Sequence, residues 1–381
     1  MKKNVTVLGC GMVGATLARD LASSNDLLVT SVDLNESSLG RLSGTAGIRT
    51  RQADLADPLV VQAVIADADV VVSGLPSAVG FQTLRAVIEA GKPYCDISFM
   101  PEDALALDAL AKQHGSTAVV DCGVAPGLSN MIVGYVANQL DQAQRVAMYV
   151  GGLPRVRHWP FQYKAPFAPY DVLEEYTRPA RIIENGRIVV KPALSEPEHV
   201  EFVQVGTLEA INTDGLRSLL STMDIPDMSE KTLRYPGHTE LMRVFREAGF
   251  FGKEEIEVRG VRVRPIDVAS ALLFPKWTYA EGEEEFTVLR VIIDGAQGGM
   301  EVRHTYDLYD EYDHATETSS MARTTAFPAA IVARMLAAGE LTEPGVFPPE
   351  LLARRPGFFE SVLAALDARG VVVTSSVKPM K

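Results

Sequence analysis

The stretch Val5-Thr6-Val7-Leu8-Gly9-Cys10-Gly11-Met12-Val13-Gly14 decides the fold of the first part of the chain. Val5–Leu8 reads as a buried strand, and after the glycines Val13, Leu17, Ala18 and Leu21 recur on one face of a helix. The three glycines fit GxGxxG, a weak pattern alone that gains weight from the strand before it and the helix after it. Gly9 permits a tight turn, Gly11 lets a pyrophosphate approach the backbone, and Gly14 permits close helix–strand packing. The helix opening presents unpaired N–H groups to phosphate, so Met12 and Val13 join the glycines as expected contacts. Asp33 follows a second apolar run, nineteen residues beyond Gly14. A carboxylate there accepts hydrogen bonds from the adenosine ribose and repels a 2′-phosphate, which predicts NAD rather than NADP. The first arginine downstream of it is Arg41.

Outward from this stretch, strand and helix patterns alternate to about residue 125. Apolar runs at Leu27–Val32, Val70–Ser73 and Ala118–Val120, with a short strand at Pro93–Ile97, predict a doubly wound parallel sheet of the Rossmann type. Asp54-Leu55 follows a further short β-like segment and is expected near the adenine, unless Asp54 serves a turn or caps a helix before Pro58. Gly74-Leu75-Pro76 ends a buried strand and should face the nicotinamide half, because ligands bind beyond the carboxyl ends of such strands.

The grammar changes after Pro126-Gly127. Strands are expected at Arg145–Gly151, Leu208–Thr213, Lys231–Tyr235, Phe286–Asp294 and Met300–Tyr309. The last two are separated by Gly295-Ala296-Gln297-Gly298-Gly299, a hairpin signal. Helices are expected at Ser129–Leu140, Leu216–Met223, His238–Ala248 and Ile266–Leu273, and the tail resumes helical periodicity over Met321–Ala338. The fold class is therefore α/β, with a Rossmann domain over 1–125 plus 321–381. Inserted over 126–320 is an α+β domain on an antiparallel sheet, for substrate binding and oligomerisation. An uncovered outer sheet face would favour a homodimer or a higher homo-oligomer.

Composition narrows the partner. The 381 residues carry 36 basic and 49 acidic side chains, a net charge of −13, with 47% hydrophobic residues. Such a surface repels nucleic acid and anionic membranes, so a small-molecule substrate is expected, with no nucleic acid or membrane partner. The three cysteines, Cys10, Cys95 and Cys122, form no CxxC pair and read as reduced, buried thiols. No HExxH or Cys/His cluster predicts a metal, and no GxSxG predicts a nucleophilic serine. The opening apolar run is too short for a membrane span and no stretch of ~18 apolar residues follows, which predicts a cytoplasmic protein.

Six segments together resemble a known family. They are the glycine fingerprint, Asp121-Cys122-Gly123-Val124-Ala125-Pro126-Gly127, Tyr149-Val150-Gly151-Gly152-Leu153-Pro154, and Asn212-Thr213-Asp214-Gly215-Leu216-Arg217, with Lys231–His238 and Met321–Ala326. In order over nearly the whole chain, they resemble the saccharopine dehydrogenase-like superfamily and, within it, the lysine 6-dehydrogenases. The resemblance implies NAD-dependent oxidation of the terminal amine of L-lysine to a semialdehyde that cyclises to piperideine-6-carboxylate. The Asn212–Leu220 segment departs from lysine 6-dehydrogenases, and parts of it are shared by enzymes of saccharopine or carboxyalkyl-amine substrates. A saccharopine-type reductase, condensing an aldehyde or keto acid with an amino-acid amine, is the alternative. A dinucleotide-binding sensor without turnover is the second.

Amine oxidation needs a hydride acceptor, a neutral amine, a proton acceptor and water. Asp121 ends a strand at the expected domain seam and either holds the substrate ammonium and orients water or caps the next helix. Arg217 either clamps the α-carboxylate through a two-pronged contact or lies on a helix surface. Asp214 receives an amino group or caps that helix. Lys231 and Arg234 fall on opposite faces of a strand, so at most one should reach a substrate. His238, at a helix start after Pro236-Gly237, is the first choice among six histidines for proton transfer and otherwise structural. Substrate is expected between the domains, with Asp121 and His238 near the amine and Arg217 near the carboxylate. The aromatic loop with His158, Tyr163 and Lys164 reads as a lid or an oligomer contact.

Overall fold

The computed structural model describes residues 2–380. It divides into two compact units, the first taking the chain through Gln139, then Ser221–Met223 and Ala322–Val373, and the second the remainder.

The first unit is built on a seven-stranded parallel sheet. Its order is Gly345–Phe347, Thr117–Val119, Tyr94–Asp96, Val70–Ser73, Lys3–Leu8, Leu27–Asp33 and Ile48–Gln52. From Lys3–Leu8 the chain adds two strands on one side and then returns to build the other. The order therefore reverses between Lys3–Leu8 and Val70–Ser73, the position at which a doubly wound sheet opens a crevice. Valines and leucines of the central strands are fully buried, as a sheet covered on both faces requires. The helices Met12–Ala22, Pro58–Val64, Ser77–Glu89 and Asp108–His114 supply the crossovers. Asp57, rather than Asp54, caps Pro58–Val64 by accepting from the Leu59 N–H at 2.9 Å.

The second unit holds a nine-stranded sheet. Its main path is Glu198–Phe202, Gly206–Asn212, Asp227–Arg234, Gln142–Pro154, Glu285–Gln297, Met300–Glu311 and Val373–Pro379. The sheet is mixed, because Asp227–Arg234 runs parallel to Gln142–Pro154 while the other registers described are antiparallel. The Gly295–Gly299 hairpin tightens to two residues. Gln297 pairs with Met300, and Gly298 and Gly299 both take positive φ, the combination a two-residue turn of the I′ kind demands. The strand pair Ala180–Glu184 and Arg187–Lys191, turning at Asn185-Gly186, is additional to the expected strands. The helices Pro169–Thr177, His238–Glu247 and Pro265–Trp277 supply buried side chains to one hydrophobic cluster with this sheet.

Two segments lie elsewhere than expected. The helix Leu128–Ala137, assigned from sequence to the second domain, belongs to the first unit. It is apolar on every side, with Met131, Ile132, Val133 and Val136 all fully buried. The tail from Thr374, assigned to the first domain, belongs to the second unit. There Thr374 Oγ1 donates to the Asp307 carbonyl at 3.3 Å and the Met380 N–H to that of Glu301 at 2.8 Å. All three cysteines are buried and free. No helix among the described residues is long and apolar enough to cross a membrane.

Gly134 tests the packing of the first unit. A Cβ there would lie 2.1 Å from the Glu350 carbonyl oxygen, whereas at Gly40 it would meet nothing within 4 Å. Gly134→Ala should cost about 1–3 kcal/mol or more by overpacking. Gly40→Ala should be neutral or stabilise by about 0.5–1 kcal/mol. Urea unfolding midpoints of the two variants check both signs.

Candidate active site

The dinucleotide cradle is a backbone construction. Gly9 takes φ +92°, and its N–H donates to the Val32 carbonyl at 2.8 Å. A Cβ on Gly14 would come within 2.1 Å of the Gly9 carbonyl oxygen, and one on Gly9 within 2.8 Å of the Gly74 carbonyl oxygen. At Gly11, by contrast, the space outside the backbone is open. The helix Met12–Ala22 starts there without a side-chain cap, leaving its first N–H groups for an anion. Asp33 is aimed at this loop. One carboxylate oxygen accepts from the Cys10 N–H at 2.6 Å and the other from the Asn35 N–H at 2.7 Å. Three backbones meeting without side chains, an uncapped helix start and an oriented carboxylate fit a pyridine dinucleotide. Gly9, Gly11, Met12, Val13, Gly14 and Asp33 are the residues that would hold it. The flanking candidates divide. Gly74 sits at the switch point, its N–H donating to the Leu8 carbonyl at 2.8 Å. Leu75 is half-buried and Pro76 exposed at the start of Ser77–Glu89. Asp54 is exposed and closes a turn by accepting from the Ala56 N–H at 3.0 Å. The Leu55 side chain is committed to the hydrophobic core.

Beyond the cradle, at the carboxyl ends of the same sheet, two acids are buried. Asp121 follows Thr117–Val119 with φ +52°, a backbone conformation that costs a non-glycine residue energy and concentrates at functional sites. Asp96 ends Tyr94–Asp96 and is completely buried. Its Oδ1 accepts from the Ser98 N–H at 3.1 Å and the Ser98 hydroxyl at 2.8 Å, and its carbonyl accepts from the Cys122 N–H at 2.8 Å. Its Oδ2 makes no hydrogen bond. Burial, with a smaller contribution from the Asp121 charge, pushes this carboxyl up to about 7. Asp96 and Ser98 are candidate site residues that the sequence reading missed. A Tyr-Cys-Asp strand end before a loop carries no signal of complete burial.

In the second unit most of the expected polar candidates are already engaged. His238 is buried with both ring nitrogens occupied. Nδ1 donates to the Phe161 carbonyl at 2.9 Å, which leaves Nε2 to accept from the Tyr176 hydroxyl at 2.9 Å. Burial first, and the Arg234 charge second, push the imidazole down to about 3, so it is neutral near pH 7. This geometry gives His238 the structural role and removes the accessible proton acceptor expected from sequence. Arg234 donates to the Tyr176 hydroxyl at 2.9 Å, pairs with Glu175 and stacks over the Tyr163 ring at 4.4 Å. Lys231 pairs with Glu198 at 2.8 Å and donates to the Glu196 carbonyl at 2.8 Å. Asp214 accepts a two-pronged contact from Arg181 at 2.9 and 2.8 Å and caps no helix, since the next one begins at Leu219. Arg217 is buried, precedes that helix, and takes φ +54°. The loop from Pro154 to Lys164 lines, with Lys276, a cavity of about 340 Å³.

Two family models match the chain. The saccharopine dehydrogenase NADP binding domain covers residues 5–119 and the saccharopine dehydrogenase C-terminal domain residues 123–371. The mitochondrial alpha-aminoadipic semialdehyde synthase of Mus musculus is 22% identical over 97% of this chain and 47% of its own length. The chain thus spans about half of that relative. The carboxyaminopropylagmatine dehydrogenase of Synechocystis sp. is 22% identical over 90% of this chain and 91% of its own. Among solved structures, apo saccharopine dehydrogenase (L-Glu forming) from Saccharomyces cerevisiae shares the fold, with a TM-score of 0.80, 19% identity, and 99% and 100% of the two chains covered.

The buried Asp96 carboxyl has a measurable signature. Its folded value stands above the ordinary 3.8, so its contribution to stability is present at low pH and is lost as pH rises toward about 7. Asp96→Asn cannot ionise. The variant should therefore gain on the wild type between pH 5 and pH 8, by about 2–3 kcal/mol. Urea unfolding at the two pH values measures this. An equal difference at both would mean that the carboxyl ionises as readily folded as unfolded.

Proposed function

Because the chain belongs to the saccharopine dehydrogenase family, we propose that it is a pyridine-nucleotide-dependent oxidoreductase acting on an amino-acid amine. The specific reading is NAD-dependent oxidative deamination of L-lysine at its 6-amino group. One observation carries the choice of substrate. Arg217, a buried guanidinium residue held at φ +54° just after the 213–215 turn, is the candidate clamp for a carboxylate. Lysine presents one carboxylate, whereas saccharopine presents three.

The bound nicotinamide supplies the hydride acceptor. Asp121 accepts hydrogen bonds from the substrate ammonium and takes a proton from it, so that the neutral amine can release hydride from its own carbon. Water then adds to the imine carbon, and ammonia leaves as the carbon–nitrogen bond breaks, giving the semialdehyde. Asp96 holds the Ser98 hydroxyl and N–H beside this site. Asp33 favours NAD, because its carboxylate, fixed by two backbone donors, would face a 2′-phosphate with like charge. The names of the relatives favour the second reading, a reductase that joins a carbonyl compound to an amino-acid amine.

A screen of L-lysine, saccharopine and other amines with NAD⁺ and NADP⁺, following both reduced nicotinamide and ammonia, separates these readings. Equimolar NADH and ammonia from L-lysine is the expected result. Oxidation of saccharopine without ammonia would establish the second reading, and nucleotide binding without turnover on any amine would leave a sensor. Within the first outcome, Arg217→Ala should raise KM by about tenfold or more with kcat within about threefold. An unchanged KM removes Arg217 from the carboxylate. Asp33→Asn should cut the preference for NAD⁺ over NADP⁺ by about tenfold, read as the ratio of kcat/KM values.

A further inference from the structure

We propose that Glu230 is the positioning residue for substrate-carboxylate recognition: it fixes the Thr213–Arg217 turn from beneath and thereby places the Arg217 guanidinium. The proposal rests on the carboxylate role given to Arg217 above.

Glu230 lies on the strand Asp227–Arg234 and is buried. Its Oε2 accepts from the Thr213 hydroxyl at 2.6 Å and from the Gly215 N–H at 3.1 Å. Its carbonyl accepts from the Thr213 N–H at 3.2 Å, and the Thr213 hydroxyl also meets that of Thr232 at 2.9 Å. The carboxyl also occupies the volume under the turn. A Cβ on Gly215 would lie 2.4 Å from Glu230 Oε2, so only glycine lets the turn sit this low. Asp214, between the two anchored residues, is tied to Arg181. Three consecutive residues are thus fixed, and two positions later Arg217 takes its positive φ. Its carbonyl accepts from the Leu220 N–H at 3.2 Å as the chain enters the next helix. A strained arginine needs its neighbours held, and Glu230 contacts two of the three.

The charge state of this carboxyl matters. The acids whose charges act on it most are Glu175, paired with Arg234, and Asp214, paired with Arg181 at 2.8 Å. Each base is already claimed by another acid. Burial, and then the Glu175 and Asp214 charges, push Glu230 up to about 8, so near pH 7 it is a neutral acid. An open turn frees the carboxyl to ionise in its ordinary range near 4.5, so the closed turn loses stability as pH rises toward about 8 and levels off above it.

Two readouts test this. Hydrogen–deuterium exchange of residues 213–220 in the apo protein needs no substrate. After correction for intrinsic exchange, Glu230→Ala should lose about tenfold protection at pH 5, and the wild type should lose its protection progressively as pH rises from about 5 to about 8. Glu230→Gln, which fills the same volume and cannot ionise, should keep protection through pH 9.5. In turnover with the amine that the screen identifies, Glu230→Ala should raise KM by about tenfold with kcat within about threefold. Glu230→Gln should abolish the rise in KM toward pH 8 expected of the wild type. Unchanged protection in Glu230→Ala, or the wild-type pH profile in Glu230→Gln, overturns the proposal. Lost protection with no effect on KM also overturns it, since the turn would then not serve the substrate. If no amino-acid amine turns over at all, the functional reading fails, and the exchange data decide the role of Glu230 in the turn.

Discussion

Three backbones meet in the first unit where no side chain fits. Gly14 approaches the Gly9 carbonyl, and Gly9 approaches that of Gly74, each closer than a Cβ permits. This contact draws the start of the helix Met12–Ala22 down onto the sheet at the point where strand order reverses. The Cys10 N–H then comes within 2.6 Å of Asp33, a strand away. The same contact leaves the carboxyl end of the sheet without bulk, where Asp33, Asp96 and Asp121 stand at or just past strand ends. Asp33 accepts from two backbone N–H donors. Asp96 has its donors from Ser98 and yet, under complete burial, holds its proton up to about pH 7.

The second unit meets the cost of burying ionisable groups in three ways. Arg234 keeps its charge and is paired, hydrogen-bonded and stacked. His238 gives up its charge and spends both nitrogens on neutral partners. Glu230 also gives up its charge, and offers one oxygen to a hydroxyl and an N–H. An unpaired buried charge would cost several kcal/mol, which makes these solutions stringent. Each ties together segments far apart in sequence: Arg234 with Glu175, His238 with Phe161, and Glu230 with Thr213.

That distance explains what was legible in the sequence. The glycine loop and Asp33 were legible because their chemistry demands fixed residues at a local spacing. So was the hairpin at Gly298-Gly299, where two positive φ values select two glycines. Asn185-Gly186 carried the same kind of signal, and its hairpin was missing only because the flanking strands are half polar. Asp96 and Glu230 were not legible. A single acid in a short strand looks solvent-facing until neighbouring strands close over it. His238 misled for a related reason. Pro236-Gly237 before a helix suggests an accessible cap, but Tyr176, Tyr163 and Trp277, from 75 residues before to 39 after, gather around it. Leu55 was assigned to the cofactor by its place after a strand, and its burial follows from the alternation that sends Asp54 outward.

The same distinction separates cofactor from substrate. The cradle is made of backbone, and the side chains it needs are mostly absent ones, so few substitutions are compatible with it. On the proposed reading the substrate side depends on Arg217, which follows a turn fixed by Thr213, Asp214 and Gly215 against Glu230 and Arg181. Each of those contacts can be rebuilt with other residues without disturbing the sheet below. On the proposed reading the identity of the amine is a question about the 213–217 turn, held by hydrogen bonds, whereas the nucleotide is a question about Gly9, Gly14 and Asp33, held by steric exclusion and one oriented carboxylate.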